Sequence, residues 1–211
     1  YTTYSGVGYT IGVYDITKDM WSYIETDIPA SSNITSDDKY VYILAGDIFI
    51  RYDPVADSWE SLESPTLYIT SDAGVAYHDG YIYAQQGYGY DGFAKYNVAT
   101  NSWTDLPAVP GGTDVGCAID PTTKTFYTYY YSTLYAYSMV NNEWSSINMP
   151  VTLYDGSLAF VNSGSERGLY LIEGDYGSRL FKYSVNSWML VDESSGVIKS
   201  GQSTEIDVIL D

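Results

Sequence analysis

One unit recurs along the whole chain and restricts its fold more than any other feature. The sequence YDITKDMW begins at Tyr14, and related sequences begin at Tyr52, Tyr96, Tyr137 and Tyr183. All five tryptophans hold the same place in this unit, at separations of 38, 44, 41 and 44 residues. A fixed period of this length is typical of proteins built from repeated supersecondary units. We therefore predict copies of one small structural unit, with each tryptophan packed against the neighbouring copy.

Each copy contains four short runs of alternating apolar and polar residues. In the third copy they are DAGVAYH (72–78), GYIYAQQG (80–87), GFAKYN (92–97) and the tryptophan run SWTDL (102–106). Aromatic and β-branched residues favour strands, and the Asp-Gly, Asp-Pro and Asn-rich sequences between the runs favour turns. Four strands in about 42 residues are typical of a propeller blade. We predict an all-β fold in which residues 1–211 form one domain, a single five-bladed β-propeller of four-stranded antiparallel blades.

The last apolar run predicts how such a ring closes. The first copy begins at its second strand, whereas an unassigned alternating run stands at the far end of the sequence: Ile206, Val208, Ile209 and Leu210. We predict that this C-terminal strand pairs with the N-terminal blade and closes the ring. The alternative is that it adds to an open blade of a neighbouring molecule, which would generate oligomers or filaments.

The spacing of Tyr and Trp, followed by tails such as Leu-Pro-Ala-Val-Pro and Asn-Met-Pro, resembles the kelch repeat. The resemblance covers nearly the whole chain, but the double glycine that kelch repeats carry after the second strand is replaced by sequences such as AGD (45–47) and YYYS (129–132). The chain thus resembles a divergent kelch-like propeller. The resemblance implies partner binding rather than a particular catalytic set, and a copper–radical centre is excluded because the chain has one histidine and one cysteine.

Charge narrows the classes of partner. The net charge is −18, from 27 acidic and nine basic residues. Such a surface repels phosphate backbones and anionic membranes, so we predict no nucleic-acid binding. No run approaches the 18 apolar residues of a membrane-spanning helix. A protein partner, a second copy of the chain, or a glycan is compatible with this composition.

Three aspartates are the candidate ligand-binding residues. Asp72, Asp114 and Asp155 open the first strand of three copies, and first strands line the central channel of a propeller. Three interpretations are open. Each aspartate caps its own turn; or together they bind Ca²⁺ through carboxylate oxygens; or two of them act as the paired carboxylates of a glycoside hydrolase.

The functional prediction is a non-catalytic, secreted or cell-surface propeller that acts in binding or self-assembly, as in an extracellular assembly or filament. The alternative is a carbohydrate-active, glycosidase-like enzyme that uses channel-facing carboxylates. Asn33 begins an Asn-Ile-Thr triplet, which is an acceptor for N-linked glycosylation in secreted proteins.

Overall fold

Short antiparallel strands make up most of the chain in a computed structural model. The described residues are 2–4, 9–26, 28, 32–113, 116–174, 177, 179–184, 189–191 and 208–210. The strands in chain order are β1 (Thr2–Tyr4), β2 (Tyr9–Asp15), β3 (Met20–Thr26), β4 (Asn33–Ser36), β5 (Val41–Ala45), β6 (Ile48–Asp53), β7 (Ser58–Ser61), β8 (Gly74–His78), β9 (Tyr81–Gln85), β10 (Phe93–Asn97), β11 (Ser102–Asp105), β12 (Cys117–Asp120), β13 (Thr125–Tyr130), β14 (Thr133–Ser138), β15 (Glu143–Asn148), β16 (Ser157–Val161), β17 (Gly168–Ile172), β18 (Leu180–Tyr183), β19 (Met189–Val191) and β20 (Val208–Leu210). A short 3-10 helix, Gly164–Glu166, lies between β16 and β17.

Four consecutive sheets form the blades of a β-propeller. Blade 1 (β4–β7), blade 2 (β8–β11) and blade 3 (β12–β15) each have four strands in chain order, and blade 4 (β16–β18) has three. The first strands of neighbouring blades contact one another, β4 with β8, β8 with β12, and β12 with β16. The sheets therefore lie side by side around a common centre, as propeller blades do.

The prediction of five four-stranded blades in a closed ring is wrong. Four blades are present in the described part of the chain, and the preceding sheet, β1–β3, has no inner strand. The C-terminal strand β20 pairs with β19, where Leu190 lies opposite Ile209, and not with the N-terminal sheet. Pairing with β19 closes a far shorter loop than pairing across the ring, so its entropic cost is lower. The predicted closure residue Ile206 lies outside the described residues.

In the first four copies, the tyrosine of the repeat fixes the turn before the tryptophan strand. The Tyr52 hydroxyl donates to Asp57 Oδ1 at 2.8 Å, and the Tyr96 hydroxyl donates to Asn101 Oδ1 at 2.7 Å. Asp57 and Asn101 each have φ of 50°, a left-handed conformation that Asp and Asn tolerate better than most residues. The same contact joins Tyr14 to Asp19 and Tyr137 to Asn142. The Tyr-x4-Asp/Asn spacing is therefore the signature of one recurrent turn.

The tryptophans of blades 2 and 3 join adjacent blades, which confirms the packing prediction at these two positions. The Trp103 ring centroid lies 5.2 Å from that of Phe49 in blade 1, and its indole N–H donates to the Glu63 carbonyl oxygen at 2.7 Å. The Trp144 indole N–H likewise donates to the Pro107 carbonyl oxygen at 2.8 Å. The equivalent residues of the first two copies are more exposed, Trp21 by 53% and Trp59 by 38%.

Small residues let the inner strands approach closely. A Cβ atom added to Gly74 in β8 would lie 2.9 Å from Cys117 Sγ in β12. Burial raises the pKa of the Cys117 thiol to about 12, so the thiol stays neutral at physiological pH. Cys117 thus serves as a small packing residue between blades 2 and 3.

An ion pair links blades 3 and 4. The fully buried side chain of Asp120, at the end of β12, accepts a hydrogen bond from the Arg167 guanidinium beside β17. Burial alone would raise the pKa of Asp120, but hydrogen bonds from Thr123, Thr122 and Arg167 outweigh it and hold that pKa below its ordinary value.

We expect Arg167→Met to lower the free energy of unfolding by about 1–3 kcal/mol at pH 7, because it removes a partner from a buried carboxylate. A lowered pKa contributes stability above the unfolded-state value, about 4, and that contribution disappears as the pH falls through the folded-state value. The deficit of the variant should therefore shrink at pH 3. Urea denaturation of the wild type and the variant at pH 7 and pH 3 measures this loss in unfolding free energy. Lys18→Met, which breaks an exposed ion pair with Asp15, is the control and should reduce stability less than Arg167→Met, because solvent screens exposed charges. If Arg167→Met lowered the free energy of unfolding equally at both pH values, a stabilising contact between Arg167 and the ionised Asp120 carboxylate would be contradicted.

Candidate functional site

Tyrosines gather at one end of the propeller. Because successive strands run antiparallel, the turns after the first and third strands of a blade lie at one end, and the turns after the second strand lie at the other, together with the loops between blades. Tyrosines lie in or beside the turns and loops of this second end. We call the five of them that line the two cavities there the tyrosine face: Tyr68, Tyr88, Tyr130, Tyr131 and Tyr154. Their phenol rings combine apolar contact area with a hydrogen-bonding group, a combination typical of binding surfaces.

Two adjacent cavities open on the tyrosine face. The first has a volume of about 390 Å³ and is lined by Asp72, Tyr88, Gly89, Tyr130, Tyr131, Tyr154 and Asp155. The second has a volume of about 520 Å³ and is lined by residues that include Asp47, Tyr68 and Tyr88. Tyr88 borders both cavities, so the two lie side by side on the tyrosine face, and together we call them the cleft.

Three of the rings that line the first cavity are exposed, and three contact one another. Tyr88 is exposed by 73% and Tyr154 by 49%. The Tyr131 ring centroid lies 4.4 Å from that of Tyr130 and 5.4 Å from that of Tyr154, with interplanar angles of 61° and 79°. These contacts limit the rotation of the rings, so less conformational entropy is lost when a ligand binds.

Backbone contacts between loops hold this end of the propeller together. The Gly87 N–H donates to Thr113 Oγ1 at 3.0 Å, and the Gly89 N–H donates to the Thr113 carbonyl oxygen at 2.7 Å. The Thr70 hydroxyl donates to the Gln86 carbonyl oxygen at 2.8 Å. Each contact joins the second turn of a blade to a loop that leads to or from that blade. The tyrosine face therefore rests on interlocked loops, a rigid support that favours specific binding.

Two of the three predicted aspartates, Asp72 and Asp155, lie in the same cavity. The third, Asp114, is outside the described residues. Asp72 accepts a hydrogen bond from the neighbouring Ser71 hydroxyl at 3.0 Å, and no backbone N–H donates to either Asp72 or Asp155 within the described part of the chain. Turn capping, by contrast, occurs at a different set of aspartates: Asp15, Asp37, Asp53 and Asp120.

Calcium binding stays a prediction. The described residues contain no group of three or more His, Cys, Asp or Glu side chains arranged to hold a metal ion. The cavity offers two described carboxylates, Asp72 and Asp155, whereas Ca²⁺ takes six to eight oxygen ligands. With Asp114 outside the described residues, the three-aspartate arrangement is not tested.

Basic residues are segregated away from the tyrosine face. Of the eight lysines and arginines in the described ranges, four lie at the opposite end of the propeller and three lie within strands. Those at the opposite end are Lys18, Lys39, Lys124 and Arg167. Arg179, which precedes β18 at the tyrosine end, is paired with Glu173. The first cavity therefore combines carboxylates with aromatic rings and lies far from most of the protein's positive charge.

The remaining predicted positions have other surroundings. Asn33 lies in β4, where its Nδ2 donates to the Thr70 carbonyl oxygen at 3.0 Å, and its glycosylation stays a prediction. Val208, Ile209 and Leu210 form β20. None of the described helices is long and apolar enough to cross a bilayer.

The sequence did not single out the tyrosines of this face. Tyrosine recurs at alternating positions of the strands, where it predicts a buried ring, and Tyr96 and Tyr129 are indeed buried. The exposed tyrosines instead occur within turn sequences, such as Gly-Tyr-Gly-Tyr at 87–90 and Leu-Tyr-Asp at 153–155. A tyrosine beside Gly or Asp in a turn, rather than within a strand, was the available signal.

The fold has counterparts among solved structures. One of them, from the crystal structure of a nidogen/laminin complex, matches with a TM-score of 0.62 and 11% sequence identity over 78% of this chain and 64% of that chain. The present chain thus spans just under two thirds of the length of that protein chain. No protein-family model matches the sequence. No curated protein matches it either. Similarity at this low identity shows the β-propeller fold alone, and the kelch assignment stays a prediction.

Proposed function

We propose that this protein is a non-catalytic, secreted or cell-surface binding module that recognises a protein partner through the tyrosine face. The observation that carries the proposal is the first cavity, where the exposed rings of Tyr88, Tyr131 and Tyr154 line the same space as Asp72 and Asp155. Tyrosine is among the residues that contribute most binding energy at protein interfaces, because its ring buries much apolar area at low entropic cost.

Two further observations support binding as the role. Pre-organised loops carry the rings, and loops on a rigid scaffold are the usual place of binding residues in proteins of this kind. A β-propeller of similar fold also occurs in a complex of nidogen with laminin. The acidic composition and the small number of lysines are compatible with a secreted or cell-surface location.

The test is selection of peptides from an unbiased display library on the intact protein. We expect the selected peptides to lose at least about tenfold in affinity for a Tyr88→Ser, Tyr154→Ser double variant, since interface tyrosines commonly contribute more than 1 kcal/mol each. Tyr23→Ser is the matched control, because Tyr23 is also exposed but lies in β3, away from the cleft. Peptides that bind wild type and the double variant equally would refute the proposed surface.

The comparison of the wild type with the double variant also tests the alternative, a carbohydrate-active enzyme. Two carboxylates border one cavity, as glycoside hydrolysis requires. Glycan binding or cleavage that is lost in the Tyr88→Ser, Tyr154→Ser variant, without peptide binding, would favour that alternative over protein recognition. Self-association likewise stays a prediction.

A further inference from the structure

We infer that the cavity between Asp72 and Asp155 is a pocket for one arginine side chain of a protein partner. The inference rests on the proposed function and names the chemical group that the partner inserts. The volume, about 390 Å³, lies at the lower end of the range for ligand pockets, about 300–1,000 Å³. A single side chain therefore fits this cavity better than a peptide segment or an extended glycan.

The lining determines the charge of the occupant. Asp72 is half-buried beside the rings, and the five ion pairs between described residues use other carboxylates than Asp72 and Asp155. Two anionic groups around a partly enclosed volume favour a cation and disfavour an anion or an uncharged apolar group. The overall charge of −18 reinforces this preference at longer range.

The aromatic rings of the cavity can also bind a cation, through contact with the faces of the rings. Elsewhere in the molecule, tyrosine faces are covered by the protein's own cations. The Arg51 guanidinium lies 4.2 Å and the Lys39 ammonium 4.5 Å from the Tyr40 ring centroid, and Lys95 lies 5.1 Å from that of Tyr81. Within the described residues no lysine or arginine covers Tyr88 or Tyr154, although both rings are exposed. These two rings are available for a cation supplied by the partner.

Arginine interacts with both the carboxylates and the aromatic rings better than lysine does. Its planar guanidinium stacks on a phenol ring and still directs several N–H groups towards carboxylate oxygens, whereas the lysine ammonium is a more strongly hydrated point charge. Two carboxylates that line the same cavity as the aromatic rings suit the several donors of a guanidinium.

The experiment uses N-acetylarginine methylamide as the probe and the intact protein with ¹³C-labelled tyrosine rings. We expect millimolar arginine probe to shift the ring signals of Tyr88 and Tyr154 in NMR spectra. The uncharged citrulline analogue, which keeps the shape and loses the charge, should bind at least tenfold more weakly. The lysine analogue should fall between them. Raising the salt concentration should weaken the binding of the arginine probe.

Variants that each remove one negative charge test which carboxylates bind the arginine probe. Asp72→Asn and Asp155→Asn should each reduce arginine binding at least fivefold and narrow the difference between arginine and citrulline. Asp47→Asn removes the same charge from the neighbouring cavity and should leave that difference unchanged. Circular dichroism and melting temperature confirm that each variant is folded.

Three results would overturn the inference: equal binding of arginine and citrulline, an equal effect of all three substitutions, or no shift of the two rings. If peptides selected on the tyrosine face depend on Tyr88 and Tyr154 but are not enriched in arginine, the arginine pocket is refuted while the proposed function stands. If the arginine probe binds as expected and no peptide depends on the face, the proposed protein recognition is refuted instead.

Discussion

Replacement of Phe93 by alanine should lower the free energy of unfolding by about 3–5 kcal/mol, the usual cost of removing a large buried aromatic side chain. Phe93 is 1% exposed and lies in β10 of blade 2. Its ring centroid is 4.9 Å from that of Phe126, 5.0 Å from that of Tyr137 and 5.0 Å from that of Trp144, all in blade 3. The substitution therefore opens a cavity between two blades.

Urea denaturation followed by tryptophan fluorescence measures this loss. Phe93→Leu keeps most of the volume and should recover much of the stability. Tyr88→Ala, which removes a similar ring from the exposed loop before β10, should change stability by less than about 0.5 kcal/mol. A cost below about 1 kcal/mol for Phe93→Ala would show that the contact between blades 2 and 3 contributes little to stability.

The second large effect is expected at Gly87, where backbone conformation and close packing coincide. Gly87 has φ of +79°, and a Cβ atom there would lie 2.4 Å from the carbonyl carbon and oxygen of Asp72. Gly80 has nearly the same conformation, φ of +83°, but a Cβ atom there would meet nothing within 4 Å. The two glycines therefore separate backbone strain from steric overlap.

We expect Gly80→Ala to cost about 1–2 kcal/mol, the penalty of a left-handed conformation. Gly87→Ala should cost a further 1–3 kcal/mol or so, because the neighbouring atoms belong to the backbone and cannot rotate away. Gly87→Ala should also weaken binding of the arginine probe, since the overlap displaces Asp72. Equal melting temperatures for the two variants would contradict the close approach between the β9–β10 loop and Asp72.

The sequence predicts the strands and turns of this protein well because these depend on neighbouring residues. The Tyr-x4-Asp/Asn-x-Trp spacing is explained by a hydroxyl contact within one turn, such as that of Tyr96 with Asn101. The joining of blades by Trp103 and Trp144 follows from the same repeat. The number of blades and the closure of the ring depend on pairing between distant segments. For β20, the nearby strand β19 provides a partner at lower entropic cost than the N-terminal sheet.

The candidate site could be predicted only in part. The position of Asp72 and Asp155 at the entry to first strands indicates that they meet at one end of the propeller, and both line one cavity. Their freedom from turn capping could not be predicted, since it depends on whether the following backbone N–H groups turn towards the carboxylate. A following proline does not separate the two groups: Asp53 and Asp120 cap their turns and precede proline, but Asp15 and Asp37 also cap their turns and do not. Asp72 and Asp155 do not precede proline.

The indole hydrogen bonds between blades have a consequence for the order in which the molecule opens. Trp103 reaches back 40 residues to Glu63, and Trp144 reaches back 37 residues to Pro107, so each contact couples a blade to the one before it. In such an array, stability accumulates as a chain of nearest-neighbour couplings, and local unfolding spreads from the weakest coupling. Blade 2 donates an indole to blade 1 and receives one from blade 3. Its backbone amides should therefore exchange with solvent more slowly than those of the blades around it.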